Sequence, residues 1–261
     1  MNYEIYCINL KSRPDRLQRM QNIFISLGII NDVTFFTTDK HDIGSRYGCF
    51  YSHLACLDNA KNDFIIMFED DCILNTDSKL NWTDIINLIQ HYFKNPRVEY
   101  FSIGCIPISV FPIVLDSKDN VIYSKFTTTL CYAIKRKAYL RLKNKFLHDV
   151  EYLHIDHFYF HNIPDQIGLK TSFFIQNFND TDNQWSNDTN YEEKLREAIT
   201  KLYKENDFNS RYKTTYGLFY DTLNHELKYH KISVQNNILF YITIFFILKF
   251  VILKVNKGNH M

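Results

Sequence analysis

The stretch Phe64-Ile65-Ile66-Met67-Phe68-Glu69-Asp70-Asp71 limits what this chain can fold into more than any other. Five consecutive apolar residues, mostly aromatic or β-branched, fit a strand covered on both faces, as in a parallel sheet. Side chains alternate along a strand, so Glu69 and Asp71 are expected on one side and Asp70 on the other. Two carboxylates facing one way at the end of a buried strand repel each other. A divalent cation held through oxygen ligands relieves that repulsion most simply. In open α/β sheets ligands bind outside the carboxyl ends of the strands, where these acids would lie. The plainer alternative is that the acids simply open a solvated loop.

The flanking segments supply the sheet. Tyr3 to Asn9 alternates and is β-prone, and Lys11-Ser12-Arg13-Pro14 stops it, with Ser12 as an expected helix cap and Pro14 at the first helical position. Leu17, Met20, Phe24 and Leu27 then form one apolar helical face, and Gly28 ends it. A second strand over Val33 to Thr37 completes a βαβ unit with a right-handed crossover. From Gly44 the chain reads towards a helix whose core stripe is Phe50, Leu54 and Leu57, with Ser52 and His53 near the ligand edge. A helix start favours anions. A lone His beside an apolar stripe is, however, commonly a satisfied structural residue.

After the acids, a helix is expected over Trp82 to Phe93, a short strand over Glu99 to Ile103, and a β run over Phe126 to Ile134. Arg136 to Phe146 reads as a basic helix, and the region Ile106 to Asn120 as an irregular loop over the site. Asp156 sits among aromatic residues in His154-Ile155-Asp156-His157-Phe158-Tyr159-Phe160-His161, where desolvation would suit it to general-base work. It can equally cap a short helix, and Asp165 is the reserve candidate. The three histidines of that stretch have the spacing of any helix face, which does not single out zinc. Gly168 to Phe178 is β-rich, Asn179 to Asp188 is a polar loop, and Tyr191 to Asp207 reads as an amphipathic helix.

With 261 residues, one large domain with an appendage is expected. Basic and acidic residues balance at 30 and 29, so there is no global field for gripping nucleic acid. The six cysteines show no Cys-x-x-Cys spacing, which leaves a cysteine zinc site unsupported and suggests reduced, buried thiols. The N-terminus runs straight into a strand, so no secretory signal is expected. Residues 238–255 are apolar and about long enough to cross a bilayer, with an interfacial helix or a last core helix as competitors. An anchor there would leave the rest of the chain on the cytosolic side of a membrane; otherwise it would be cytoplasmic. The expected organisation is a domain over 1–210, a connecting segment over 211–237 and the hydrophobic segment 238–255.

Several segments, taken in order, resemble glycosyltransferase family 25, which includes lipooligosaccharide sugar transferases and collagen galactosyltransferases. These are Ile8-Asn9-Leu10-Lys11-Ser12-Arg13-Pro14-Asp15-Arg16, then Gly48-Cys49-Phe50-Tyr51-Ser52-His53, then Ile65 to Asp71. Looser matches are Ala133-Ile134 with its basic helix, Ile155-Asp156, and the run into Gln176 and Ser186. The resemblance implies an α/β fold of GT-A type, a sandwich around a mostly parallel sheet. It implies transfer of a hexose from a UDP-sugar to a glycan, glycoprotein or glycolipid hydroxyl, with Mn2+ or another divalent ion. On that reading Asp71, with Glu69, holds the metal. Asn9, Arg13, Arg16, Ser52, His53, Glu69 and Asp70 line the donor site, and Asp156 is the base. An inactive nucleotide-sugar- or glycan-binding relative in a membrane-attached assembly is the alternative. A phosphatase or nucleotidyltransferase would need a second acidic cluster, which the sequence does not show.

Overall fold

The protein is described by a computed structural model covering residues 1–107, 113–116, 121–148 and 155–177, all within one unit, Met1–Tyr216. The chain opens with β1 (Tyr3–Leu10), α1 (Pro14–Ser26), β2 (Val33–Thr38), α2 (Ser45–Asn59) and β3 (Phe64–Glu69). It continues through β4 (Cys72–Leu74), α3 (Trp82–Phe93), β5 (Tyr100–Ser102), β6 (Ile106–Pro107), β7 (Ile113–Asp116) and β8 (Val121–Tyr123). The remaining elements are β9 (Phe126–Thr127), β10 (Cys131–Lys135), α4 (Arg136–His148), α5 (Ile155–Asn162), β11 (Gln166–Leu169) and β12 (Phe174–Gln176).

Eight strands form one sheet in the order β2-β1-β3-β10-β5-β11-β8-β7. Only β10 and β8 run against the others, so the fold is mixed α/β with a mostly parallel sheet. Helices cover both faces. Met20 and Phe24 of α1 and Ile85, Ile89 and Phe93 of α3 pack with Ile5, Cys7, Phe64, Ile66 and Phe68 on one face. Phe50, Leu54 and Leu57 of α2, with Tyr139 of α4 and Phe158 and Tyr159 of α5, pack with Tyr6, Ile65 and Met67 on the other. Phe64 through Phe68 are all fully buried. At ~1.5–3 kcal/mol for each buried side chain, that one strand contributes on the order of 10 kcal/mol, an upper bound. Such a strand can offset the cost of carrying three carboxylates at its end.

The structure corrects several local expectations. Helix α1 starts without the Ser12 cap: Arg13 occupies the cap position with no side-chain bond, and Pro14 sets the first turn. The expected strand from Phe126 to Ile134 is two strands, because Thr128 turns the chain with φ at 65°. The described part of the expected irregular region, Ile106 to Asn120, forms β6, which pairs with β9, and β7, which pairs with β8 at the sheet edge remote from β1 and β3. The polar loop 179–188, the helix over 191–207, and the segments 211–237 and 238–255 lie outside the described residues. Among the described residues no helix is long and apolar enough to cross a membrane.

Gly168 of β11 marks where the sheet has no room. A Cβ there would lie 2.5 Å from Ser102 Cβ and 2.8 Å from the Ser102 carbonyl oxygen. Backbone cannot yield as a flexible side chain does, so Gly168→Ala is expected to cost on the order of 3 kcal/mol, read as a lower urea midpoint at unchanged slope.

Candidate active site

The connection β1-α1-β2 leads to one side of β1, whereas β2-α2-β3 returns to the other, so the strand order reverses at β1 and β3. A crevice outside the carboxyl ends of two such strands is the general ligand position of open α/β sheets. Here the cleft is lined by Leu10 and Thr38 at the ends of β1 and β2, by Lys40 and His41, by Glu69, Asp70 and Asp71, and by the first turns of α2. From α2 come Ser45, Gly48, Cys49, Ser52 and His53, spaced so that one helix face looks inward. Arg16 of α1 completes the floor.

Only Glu69 belongs to β3; Asp70 and Asp71 form the turn that leads into β4. Glu69 follows Ile65 and Met67 onto the α2 face, where its Oε1 meets His53 Nε2 at 3.2 Å and accepts the Thr129 hydroxyl. Since a carboxylate only accepts, His53 Nε2 donates, and in the neutral ring Nδ1 accepts the Tyr132 hydroxyl at 2.8 Å. Tyr132 in turn meets the Tyr159 hydroxyl at 3.0 Å, so a buried chain of polar groups runs from α5 to Glu69. His53 has no exposed surface and is stacked on Tyr132. It is thus a satisfied core histidine that also orients Glu69.

Asp70 turns to the α1 face. Arg16 Nη1 donates to its Oδ1 at 2.9 Å, while Asn9 Nδ2 and the Leu10 amide donate to Oδ2 at 2.7 and 3.2 Å. Arg19 Nη2 donates to its carbonyl at 3.0 Å. The Asp70 carboxylate therefore ties the β1–α1 turn to the end of β3. Asn9 is engaged in the same knot, donating also to the Arg13 carbonyl. The Arg13 guanidinium pairs with Asp15 and is not among the cleft-lining groups. That pairing holds the Asp15 carboxyl at about 2.

Asp71 differs from both. It is 4% exposed; Oδ2 accepts from Gln176 Nε2 at 2.8 Å, and its carbonyl accepts the Asn177 amide at 2.9 Å. Oδ1 is buried with no hydrogen-bond partner among the described residues. Burial, and then the charge of Glu69, push the Asp71 carboxyl up to about 7. A buried, unpartnered carboxylate oxygen beside a second carboxylate is the environment a cation would relieve. A hard divalent ion would find oxygen donors here in Asp71 Oδ1 and the Glu69 carboxylate.

Of the other expected site residues, Ser52 lines the cleft and donates to the Gly48 carbonyl at 2.6 Å. Asp156 lies in the first turn of α5 and accepts the Thr128 amide at 3.0 Å, one residue from the threonine that holds Glu69. Glu69, Asp156 and Asp71 together raise the Cys49 thiol, which burial already pushes well above its usual range. These three acids therefore share one neighbourhood. Asp165 does not: it precedes β11, at the sheet level of Glu99, Lys135 and Phe64, and bonds Tyr123 at the edge opposite the acids. Sequence reasoning passed over Cys49, Thr129, Tyr132 and Gln176 as site groups. Only Cys49 carried a local signal, its spacing of four from His53.

No protein-family model matches the chain, and no curated protein does. Among solved structures it is similar to a glycosyltransferase involved in glycosylation of the major capsid of PBCV-1. That match has 11% identity and a TM-score of 0.42, and covers 76% of this chain and 99% of the other. S. aureus TarS 1-349 in complex with UDP-GlcNAc gives 10% identity and a TM-score of 0.42, over 90% and 75% of the two chains. UDP-glucose pyrophosphorylase complexed with UDP-glucose gives 12% and 0.40, over 66% and 74%. With TM-scores below 0.5, none of these likenesses fixes a function, which rests on the cleft itself.

Proposed function

We propose that the chain is a metal-dependent glycosyltransferase that moves a hexose from a nucleoside-diphosphate sugar such as a UDP-sugar to a hydroxyl of a glycan, glycoprotein or glycolipid. The observation that carries this reading is the buried Asp71 oxygen, without a hydrogen-bond partner among the described residues, in the same cleft as Glu69 where the strand order reverses. The resemblance of its ordered motifs to family 25 supports the hexose and the Mn2+ assignment. When bound by Asp71 and Glu69, the ion would supply neutralisation of the departing diphosphate.

The chain's own groups divide the remaining work. The α2 start, with Ser45 and Gly48 at the cleft wall, offers backbone amides and a favourable dipole to phosphate oxygens. Asp70 and Asn9 fix the β1–α1 turn and hold Arg16 in the floor, so their role is positioning. His53, locked by Tyr132, and Thr129 aim the Glu69 carboxylate. Asp156, held by the Thr128 amide, takes the proton from the acceptor hydroxyl as that oxygen attacks the sugar carbon.

Two outcomes test this. Incubation with a panel of nucleotide sugars and Mn2+ should release nucleoside diphosphate from at least one of them, and a chelator should stop the release. With that donor, Asp156→Asn should leave donor affinity unchanged while lowering transfer about 10²–10⁴-fold. Transfer near the wild-type rate would remove Asp156 from the mechanism.

A further inference from the structure

The same cleft holds a second group of ligand atoms with different chemistry. Cys49 Sγ, His53 Nε2 and Glu69 Oε1 all lie within 4.8 Å of one another. The His53–Glu69 separation is 3.2 Å and the Cys49–Glu69 separation 4.0 Å. An ion bound at about 2.0–2.3 Å by thiolate, imidazole and carboxylate keeps such atoms roughly 3.3–3.6 Å apart, so His53 and Glu69 already stand at ligand spacing and the Cys49 sulfur has to move in, by about half an ångström towards Glu69. Helix periodicity puts Cys49 and His53 on one face of α2, and sheet alternation puts Glu69 beneath them.

We propose that Cys49, His53 and Glu69 form a binding site for a borderline-soft divalent cation of the zinc class, with its fourth position open to the cleft. Sulfur and nitrogen ligands favour zinc over the hard ions that the Asp71 oxygen suits. The supporting shell is already in place. Tyr132 backs His53 at Nδ1, and Thr129 backs Glu69. On binding, His53 Nε2 gives its lone pair to the ion and the neutral ring takes the Nδ1–H tautomer, its proton count unchanged, so that Nδ1–H donates to the Tyr132 oxygen. The Tyr132 hydroxyl then turns onto Tyr159. Cys49 binds as thiolate and releases its proton to solvent, and the ion's charge reverses the effect of the surrounding carboxylates. Occupancy engages Glu69 Oε1 and narrows the cleft, so a zinc-class ion would oppose the proposed activity rather than support it.

The site is tested with the full chain stripped of metal and titrated with Co2+, a spectroscopic substitute for zinc. One Co2+ per chain should give a thiolate-to-cobalt charge-transfer band that Zn2+ abolishes. Cys49→Ser should lose the band, Asp71→Asn should keep it, and Tyr132→Phe should weaken Co2+ binding about 10–100-fold. A second readout needs no variant: Zn2+, but not Mg2+, should protect Cys49 of the unaltered chain from alkylation, mapped by peptide mass spectrometry. No thiolate band at saturating Co2+, a band that survives in folded Cys49→Ser, or no protection of Cys49 would each overturn the site. None of these readouts involves a nucleotide sugar, so this site and the proposed transferase fail separately.

Discussion

Asp71→Asn is expected to make the metal-free protein more stable at neutral pH while abolishing the proposed metal-dependent turnover. The folded protein holds the Asp71 carboxyl at about 7, against 3.8 for an ordinary aspartate. A raised carboxyl means that the folded state binds the proton more tightly than the unfolded chain. Stability is then greatest below the unfolded value, declines as pH rises from about 4, and bears the whole penalty above about 7. The penalty for the charged form in this buried place is on the order of a few kcal/mol. An amide still has to be buried at the same place, so the net gain for Asn is on the order of 2 kcal/mol. Thermal melts of both proteins across that pH range should diverge as pH rises, the variant melting higher by roughly 2–4 °C per kcal/mol. Added Mn2+ should raise the wild-type melting point and leave the variant's unchanged. Curves that stay parallel over the range would mean that Asp71 is not the strained group.

Arg16→Met is expected to be among the most damaging single changes outside the apolar core. Arg16 and Asp70 form an ion pair whose side chains are 4% and 9% exposed. Exposed pairs of this kind matter little, but removing one member of a buried pair strands the other charge, at about 3–5 kcal/mol. The Asp70 oxygens would retain Asn9 and the Leu10 amide, which softens the loss without cancelling it. Adding Asp70→Asn to Arg16→Met should recover a large part of the stability, because the stranded charge is gone. A urea-midpoint series on the two single variants and the double measures this coupling. Additive losses would show that the pair is not what joins the β1–α1 turn to β3.

How much of this was legible in the sequence depends on how local each signal is. The run Phe64 to Phe68 identified a doubly covered strand because five adjacent residues carry the whole pattern, and the structure buries all five. The βαβ unit was readable for the same reason: the α1 stripe and Gly28 are local, and Gly28 takes a φ of 73° just past the helix. The Phe126 to Ile134 run misled because β-branched threonines score as strand while Thr128 is held in a turn by tertiary contacts. One of those contacts is its amide bonding to Asp156 in α5.

The site shows the same division. That Asp70 would part from Glu69 was expected from a period of two residues, although β3 ends at Glu69 and Asp70 and Asp71 lie in the turn before β4. That Asp70 would be consumed by Arg16 and Asn9 depended on how α1 returns to the sheet. Gln176 reaches Asp71 across 105 residues through the pairing of β12 with β4, which no spacing announces. The cysteine pattern gave a reading opposite to the proposed soft-metal site, because a Cys-x-x-Cys rule looks along the chain. Here the ligand atoms converge through one helix turn and one strand end.

The central claim is that the cleft at the ends of β1 and β3 binds a nucleoside diphosphate through a cation held by Asp71. Titration calorimetry of UDP into the full chain tests it most directly, in Mn2+ and in chelator, with wild type and Asp71→Asn side by side. The account predicts saturable one-to-one binding for wild type in Mn2+, and its loss with either chelator or the Asn variant. Equal binding in all these conditions would contradict it, as would the absence of binding by UDP and by every nucleotide sugar tried in the presence of Mn2+.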